Sequence, residues 1–181
     1  MLCVHKDWHN NNDMNSITKQ LAKRAKEHGI CKPWYNELKT LEDKEALIEM
    51  YIRGLDFCLE HNYPSNDFIR QHFKGIMEKH GVFLDDAIEL QNPSKCIALG
   101  ETNGKVEADE YAVVEVWAKH QAALNIIAKG NAFVMVDVYD DAVVNVCAYD
   151  RAKVCVNKHG GKVTYNATDD AVVKFRDKSN K

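Results

Sequence analysis

The sequence predicts an α+β chain: a small N-terminal helical domain followed by a C-terminal β-solenoid. Three observations carry that expectation. In the first half, apolar residues recur at the three-to-four spacing of helices. In the second half, small and branched apolar residues alternate with other residues over short strips. Those strips return about every ten residues, each closed by turn-formers such as Asp140-Asp141, Asp150-Arg151 and Asp169-Asp170. The expected division is a poorly ordered leader over 1–15, a helical domain and transition over 16–91, and repeats over 92–181.

The leader holds the polar tract Asn10-Asn11-Asn12-Asp13 and shows no periodicity. Ser16 is placed to cap a first helix over 17–28, whose apolar face is Ile17, Leu21, Ala22 and Ala25, with Gly29 as its stop. Pro33 opens a second short helix carrying Trp34, Tyr35 and Leu38. The strongest helical stripe runs from Glu42 to His61 and ends at Asn62 and Pro64. Ser65 caps a fourth helix that buries Phe68, Ile69, Phe73, Ile76 and Met77. Lys79-His80-Gly81 then reads as a helix end. Residues 82–91 are a transition with two possible short strands, Val82-Phe83-Leu84 and Ile88-Glu89-Leu90.

Aligned on the first inward residue, the repeats begin at Ser94, Gly104, Ala112, Ala122, Ala132, Ala142, Ala152, Gly161 and Ala171, with spacings of 10, 8, 10, 10, 10, 10, 9 and 10. In the strip from Ala142, the residues Ala142, Val144, Val146 and Ala148 point inward. The position after each corner is Ala or smaller in most copies, as a tight bend demands. Two strips per coil would stack residues twenty apart, and three per coil would stack residues thirty apart. The small inward residues suit a narrow interior about 10 Å across. Two sheets are therefore favoured, with a three-sided coil as the alternative. The helical half is expected to cover the first coil, and the charged tail from Lys174 to Lys181 to blunt the last.

Val113, Trp117, Ile127, Phe133, Met135, Tyr139, Val143, Cys147 and Tyr149 all fall at out-facing positions. That outer face is too apolar for open water and predicts an interface. His28, Cys31, Cys58 and His61 have the residue types and pair spacing of a tetrahedral zinc site. Cys58 is equally explained as core and His28 as a helix-end cation, so no metal is assigned. The acids Asp137, Asp140, Asp141 and Asp150 cluster near corners, where turns already favour Asp. No Cys–His pair sits in a nucleophile signature, so no catalytic residue is named and no cofactor is implied.

Charge narrows the partners. Lys and Arg number 12 before Asn92 and 12 after it, against 15 and 12 acids, so neither half is basic enough to predict nucleic-acid binding. No apolar run is long enough for a transmembrane helix, and the first residues lack a signal-peptide core. A cytoplasmic protein with reduced thiols is expected.

Over 94–176 the strips resemble short-repeat bacterial and phage β-solenoid proteins, the broad company of pentapeptide-repeat proteins. They depart from the five-residue pattern, which would make Cys147 and Tyr149 inward where Val146 and Ala148 are instead. The resemblance implies a solenoid and carries no activity. The expected function is a non-catalytic protein-interaction or assembly module of phage or mobile-element type, binding a protein partner or another copy of itself. A carbohydrate-active or metal-dependent enzyme is the alternative.

Overall fold

A computed structural model describes residues 7–179, with side chains over 14–179. The chain divides into two compact units, 1–80 and 81–181.

The first unit is helical. Its helices are α1 (Asp7–Glu27), α2 (Lys32–Leu38), α3 (Lys44–Arg53), α4 (Leu55–His61) and α5 (Asn66–His72), followed by a 3-10 turn over Met77–His80. Two differences from expectation have physical causes. Helix α1 starts at Asp7, so Ser16 lies inside it, and the Gln20 amide donates to its hydroxyl at 3.3 Å. Residues 1–6 of the expected leader lie outside the described residues. The single stripe from Glu42 to His61 is two helices, broken at Gly54. A Cβ at Gly54 would stand 3.0 Å from the Trp34 ring, a tight contact that favours glycine there. The Asp43 carboxylate caps α3 by accepting from the Ala46 N–H at 2.7 Å. Ile17, Leu21, Ala25, Leu47, Leu55, Leu59, Phe68 and Ile69 are all buried, which is the helical periodicity realised.

The second unit is a solenoid of two parallel sheets. Strands β1 (Val82–Leu84), β3 (Lys95–Leu99), β5 (Val113–Ala118), β7 (Phe133–Val138), β9 (Lys153–Lys158) and β11 (Val172–Asp177) form the first sheet in that order. Strands β2 (Ala87–Gln91), β4 (Asn103–Ala108), β6 (Ala123–Ala128), β8 (Val143–Ala148) and β10 (Lys162–Ala167) form the second. Each coil thus takes one strand from each sheet, and every strand pair is parallel. The three-sided alternative is therefore not adopted.

The register shows how the sequence builds this. Val114, Val134 and Val154 stack in one inward ladder, and Ala128, Ala148 and Ala167 in another. Ala142, Val144, Val146 and Ala148 are buried, while their neighbours Val143 and Asn145 are exposed. The transition segment belongs to the solenoid, since β1 and β2 form its first coil. That coil is short: Val82 pairs with Ile97 and Ile88 with Gly104, whereas later coils pair residues nineteen or twenty apart.

Two strip starts shift by two residues. Gly104 pairs with Leu124 and Lys95 with Glu115, so Ser94 and Gly104 take second inward positions. The position matching Ala122 is Thr102, which is fully buried and donates its hydroxyl to the Leu99 carbonyl at 2.7 Å. A polar residue hidden at an alanine position produced the apparent eight-residue spacing.

The corners follow one plan. Glu110, His120, Asp140, Asp150 and Asp169 adopt positive φ, and Gly130 does so at the same place. One turn bond closes each of these six corners, as when Ala142 N–H reaches the Tyr139 carbonyl at 3.1 Å, whereas the corner between β9 and β10 differs and places its positive φ at Gly161. Left-handed backbone favours Gly, Asn and Asp, which explains the acids at these places. The same side chains also join coils. Asp150 accepts from the Gly130 N–H at 2.8 Å, Asp140 from the His120 N–H at 3.3 Å, and Asp169 from the Asp150 N–H at 3.2 Å.

Candidate interaction surface

A two-sheet coil has two opposite outer faces and two edges of corners, and the nine expected interface residues divide among them. Val113, Trp117, Phe133 and Met135 lie on the outer face of the first sheet. Ile127, Val143 and Cys147 lie on the outer face of the second. Tyr139 follows β7 and Tyr149 follows β8, so they sit at opposite edges. The set is not one surface.

The first sheet carries the denser apolar group. Val113 pairs directly with Phe133, and Trp117 with Asp137. Val113 is 64% exposed and Phe133 37%. Tyr111, at the corner just before β5, is 80% exposed and extends this group, although it was not among the expected residues. Its sequence signal was its place two residues before Val113, which continues the out-facing alternation of that strip back into the corner. Trp117 and Met135 are half-buried beside them. Contiguous side chains of this kind cost solvation in water and gain on association.

The outer face of the second sheet is polar along its middle. The Asn145 amide donates to Asn125 Oδ1 at 3.1 Å, and the Thr164 hydroxyl donates to Asn145 Oδ1. Lys105 pairs with Glu107 at 2.7 Å beside this ladder. Ile127 and Cys147 form a small apolar strip next to it. Strand-forming propensity and local packing account for them.

One corner edge holds a cluster that period-ten reading missed and a period of twenty would find. Lys119, Tyr139 and His159 follow β5, β7 and β9 in turn. The Tyr139 and His159 rings stack at 4.5 Å with planes 7° apart. Lys119 Nζ lies 5.6 Å from the Tyr139 ring centre and 2.9 Å from Asp140 Oδ2, with its side chain almost wholly buried. His159 Nε2 donates to Asp137 Oδ1 at 3.0 Å. Asn157, the ladder neighbour of Asp137, is buried with no hydrogen-bond partner at its Oδ1. These contacts satisfy the buried Lys119 charge and pin successive corners. Asp137, Asp140 and Asp150 are thereby all engaged in structural bonds.

The four residues with zinc-like spacing do not converge. The His28 and His61 rings stack at 5.2 Å, but Cys31 is exposed and Cys58 buried. Burial pushes the Cys58 thiol up to about 12, and the Cys96 thiol likewise. Without a partner of opposite charge, such buried thiols stay protonated at neutral pH. Among the described residues no three His, Cys, Asp or Glu side chains are placed to hold one ion. Among the same residues no helix is long and apolar enough to cross a membrane. No protein-family model, curated protein or solved structure matches the chain.

Proposed function

We propose that the protein is a non-catalytic interaction module of bacterial or mobile-element type, working in the cytoplasm, and that the outer face of its first sheet receives a protein partner. The observation that supports this most is the exposed apolar group Tyr111, Val113 and Phe133, backed by Trp117 and Met135 on one rigid sheet. Flat, stiff surfaces with aromatic anchors bind protein with little loss of conformational entropy. Asp137, Asp140 and Asp150, three of the four acids near the corners, bond to His159, Lys119 and the Gly130 N–H. A Val113→Asp, Phe133→Asp double variant tests the reading by capture from the native cell. The wild-type chain should retain a stoichiometric protein that the variant loses. Identical captured proteins from both would refute the assignment of this face.

A further inference from the structure

Charge is sorted across the outer face of the first sheet. The outward residues of β5, β7, β9 and β11 stand in three rows, fixed by the ladder register. One row is Val113, Phe133, Lys153 and Val172. The middle row is Glu115, Met135, Cys155 and Lys174. The third is Trp117, Asp137, Asn157 and Arg176. Both acids, Glu115 and Asp137, thus lie on β5 and β7, and all three bases, Lys153, Lys174 and Arg176, on β9 and β11. Lys174 and Arg176 were expected to blunt a coil edge, and the register puts them on this face instead. Among the described residues Glu115, Lys153, Lys174 and Arg176 form no ion pair. Val172 is 49% exposed, so the apolar group around Val113 and Phe133 has a counterpart on the basic side.

We propose that this face is its own complement, and that it takes the same face of a second copy across a two-fold axis lying along the strands between β7 and β9. This rests on the reading of the face as a partner surface and names the partner. The axis lays β5 over β11 and β7 over β9. Glu115 then meets Lys174 of the second copy, Trp117 meets Arg176, and Val113 meets Val172. Met135 lies over Cys155 at the centre, and Lys153 over the Phe133 ring. Two-fold symmetry makes each contact twice. The carboxylate–ammonium pairs attract, the cations lie over aromatic faces, and the apolar pairs leave water.

Charge also selects this axis. A two-fold across the strands through the middle row sets Glu115 against Glu115 and Lys174 against Lys174. One along β7 sets Asp137 against its duplicate, and one along β9 does the same to Lys153. The axis between β7 and β9 sets no like charges face to face, and it overlays all four strands. A different protein would have to reproduce the same division of acids and bases to fit as well. Six residues span about 20 Å and four strands about 19 Å. With the relief of the side chains, two copies would bury roughly 1,000 Å² in total, the size of a weak, reversible interface.

Sedimentation velocity of the full chain at tens to hundreds of micromolar and low ionic strength tests this. The expected species at high concentration has twice the 20.6 kDa chain mass. Glu115→Lys alone, or Lys174→Glu alone, should raise the dissociation constant about tenfold or more, because each turns two attractions into repulsions. The two exchanges together should bring it back to within about threefold of the wild type. Val113→Asp with Phe133→Asp should leave a monomer with unchanged far-ultraviolet dichroism. A monomeric wild type would overturn the proposal. So would a dimer indifferent to the single reversals, or a double exchange that fails to restore association. A monomeric wild type that still captures a different protein through Val113 and Phe133 overturns self-association and leaves the partner face standing. Capture indifferent to the double Asp variant refutes the face itself.

Discussion

Neighbouring residues Ile126 and Ile127 should respond oppositely to truncation. Ile126 is 1% exposed and sits in an inward ladder between Val106 and Val146. Ile127 is half-buried on the outer face between Glu107 and Cys147. Ile126→Ala removes three carbons from a narrow interior whose backbones are fixed by ladders on both sides. The site cannot collapse well, so the cost should fall at about 3–4 kcal/mol, within the usual range for buried large-to-small changes. In a stacked array that loss also weakens coupling between the coils on either side. Ile127→Ala loses only part of one side chain's burial and should cost about 1 kcal/mol or less. Urea unfolding followed by far-ultraviolet dichroism reads the difference. With a slope of roughly 2 kcal/mol per molar, the midpoint should fall by about 1.5–2 M for Ile126→Ala and by about 0.5 M or less for Ile127→Ala. Equal shifts, or a larger one at Ile127, would refute the inward–outward alternation.

Three further outcomes follow from the corners and the thiols. At Asp150, Ala should cost about 2 kcal/mol, because it loses both tolerance of left-handed backbone and the bond to Gly130; Gly should cost about half of that and Asn least, as thermal unfolding would show. Burial holds the His120 imidazole below its ordinary pKa, aided by the Lys119 charge, and its Nδ1 accepts from the Gly100 N–H at 3.1 Å. Its neutral form is favoured by folding, so its stabilising share is complete above about pH 6.5 and is lost as pH falls through the lower folded value. NMR titration should place its midpoint below that of a free histidine, and a midpoint at or above it would contradict the corner bond. Among the cysteines of the described residues, alkylation of the native chain at mildly alkaline pH should reach Cys31 first and Cys147 and Cys155 more slowly, while Cys58 and Cys96 react only after unfolding. Mass spectrometry of the labelled peptides checks the order.

Most of the solenoid was legible because its physics is local and repeated. Alternation placed Val144 and Val146 inside, and ladder spacing favoured two sheets through small residues such as Ala128, Ala148 and Ala167. The errors came where one residue does unusual work. Thr102 fills an alanine position with a hydroxyl that bonds backwards, which hid the true strip start. Gly54 divides a continuous apolar stripe into two helices at the point where the Trp34 ring lies against it. The outer face was harder to read, since alternation says which residues point out but not which sheet carries them. Nine residues read as one surface therefore fell on two faces and two edges. The corner ladder of Lys119, Tyr139 and His159 escaped notice for the same reason: its members are neighbours only once the coil length is known.

Every surface assigned to this protein rests on a coil of two strands and about twenty residues. Engineered cysteines measure that directly. Asn125 and Asn145 are in register on adjacent parallel strands, with their side chains in contact. Neighbouring parallel strands lie about 4.8 Å apart, within the Cα range of a disulfide. Under mild oxidation, an Asn125→Cys, Asn145→Cys chain should form an intramolecular disulfide between those positions in high yield. A Glu115→Cys, Asn145→Cys chain should not, because those positions face away from each other on opposite sheets. Linkage of the 115–145 pair with none between 125 and 145 would mean a thirty-residue coil, and the division of the outer surface into an apolar and a polar face would fall with it.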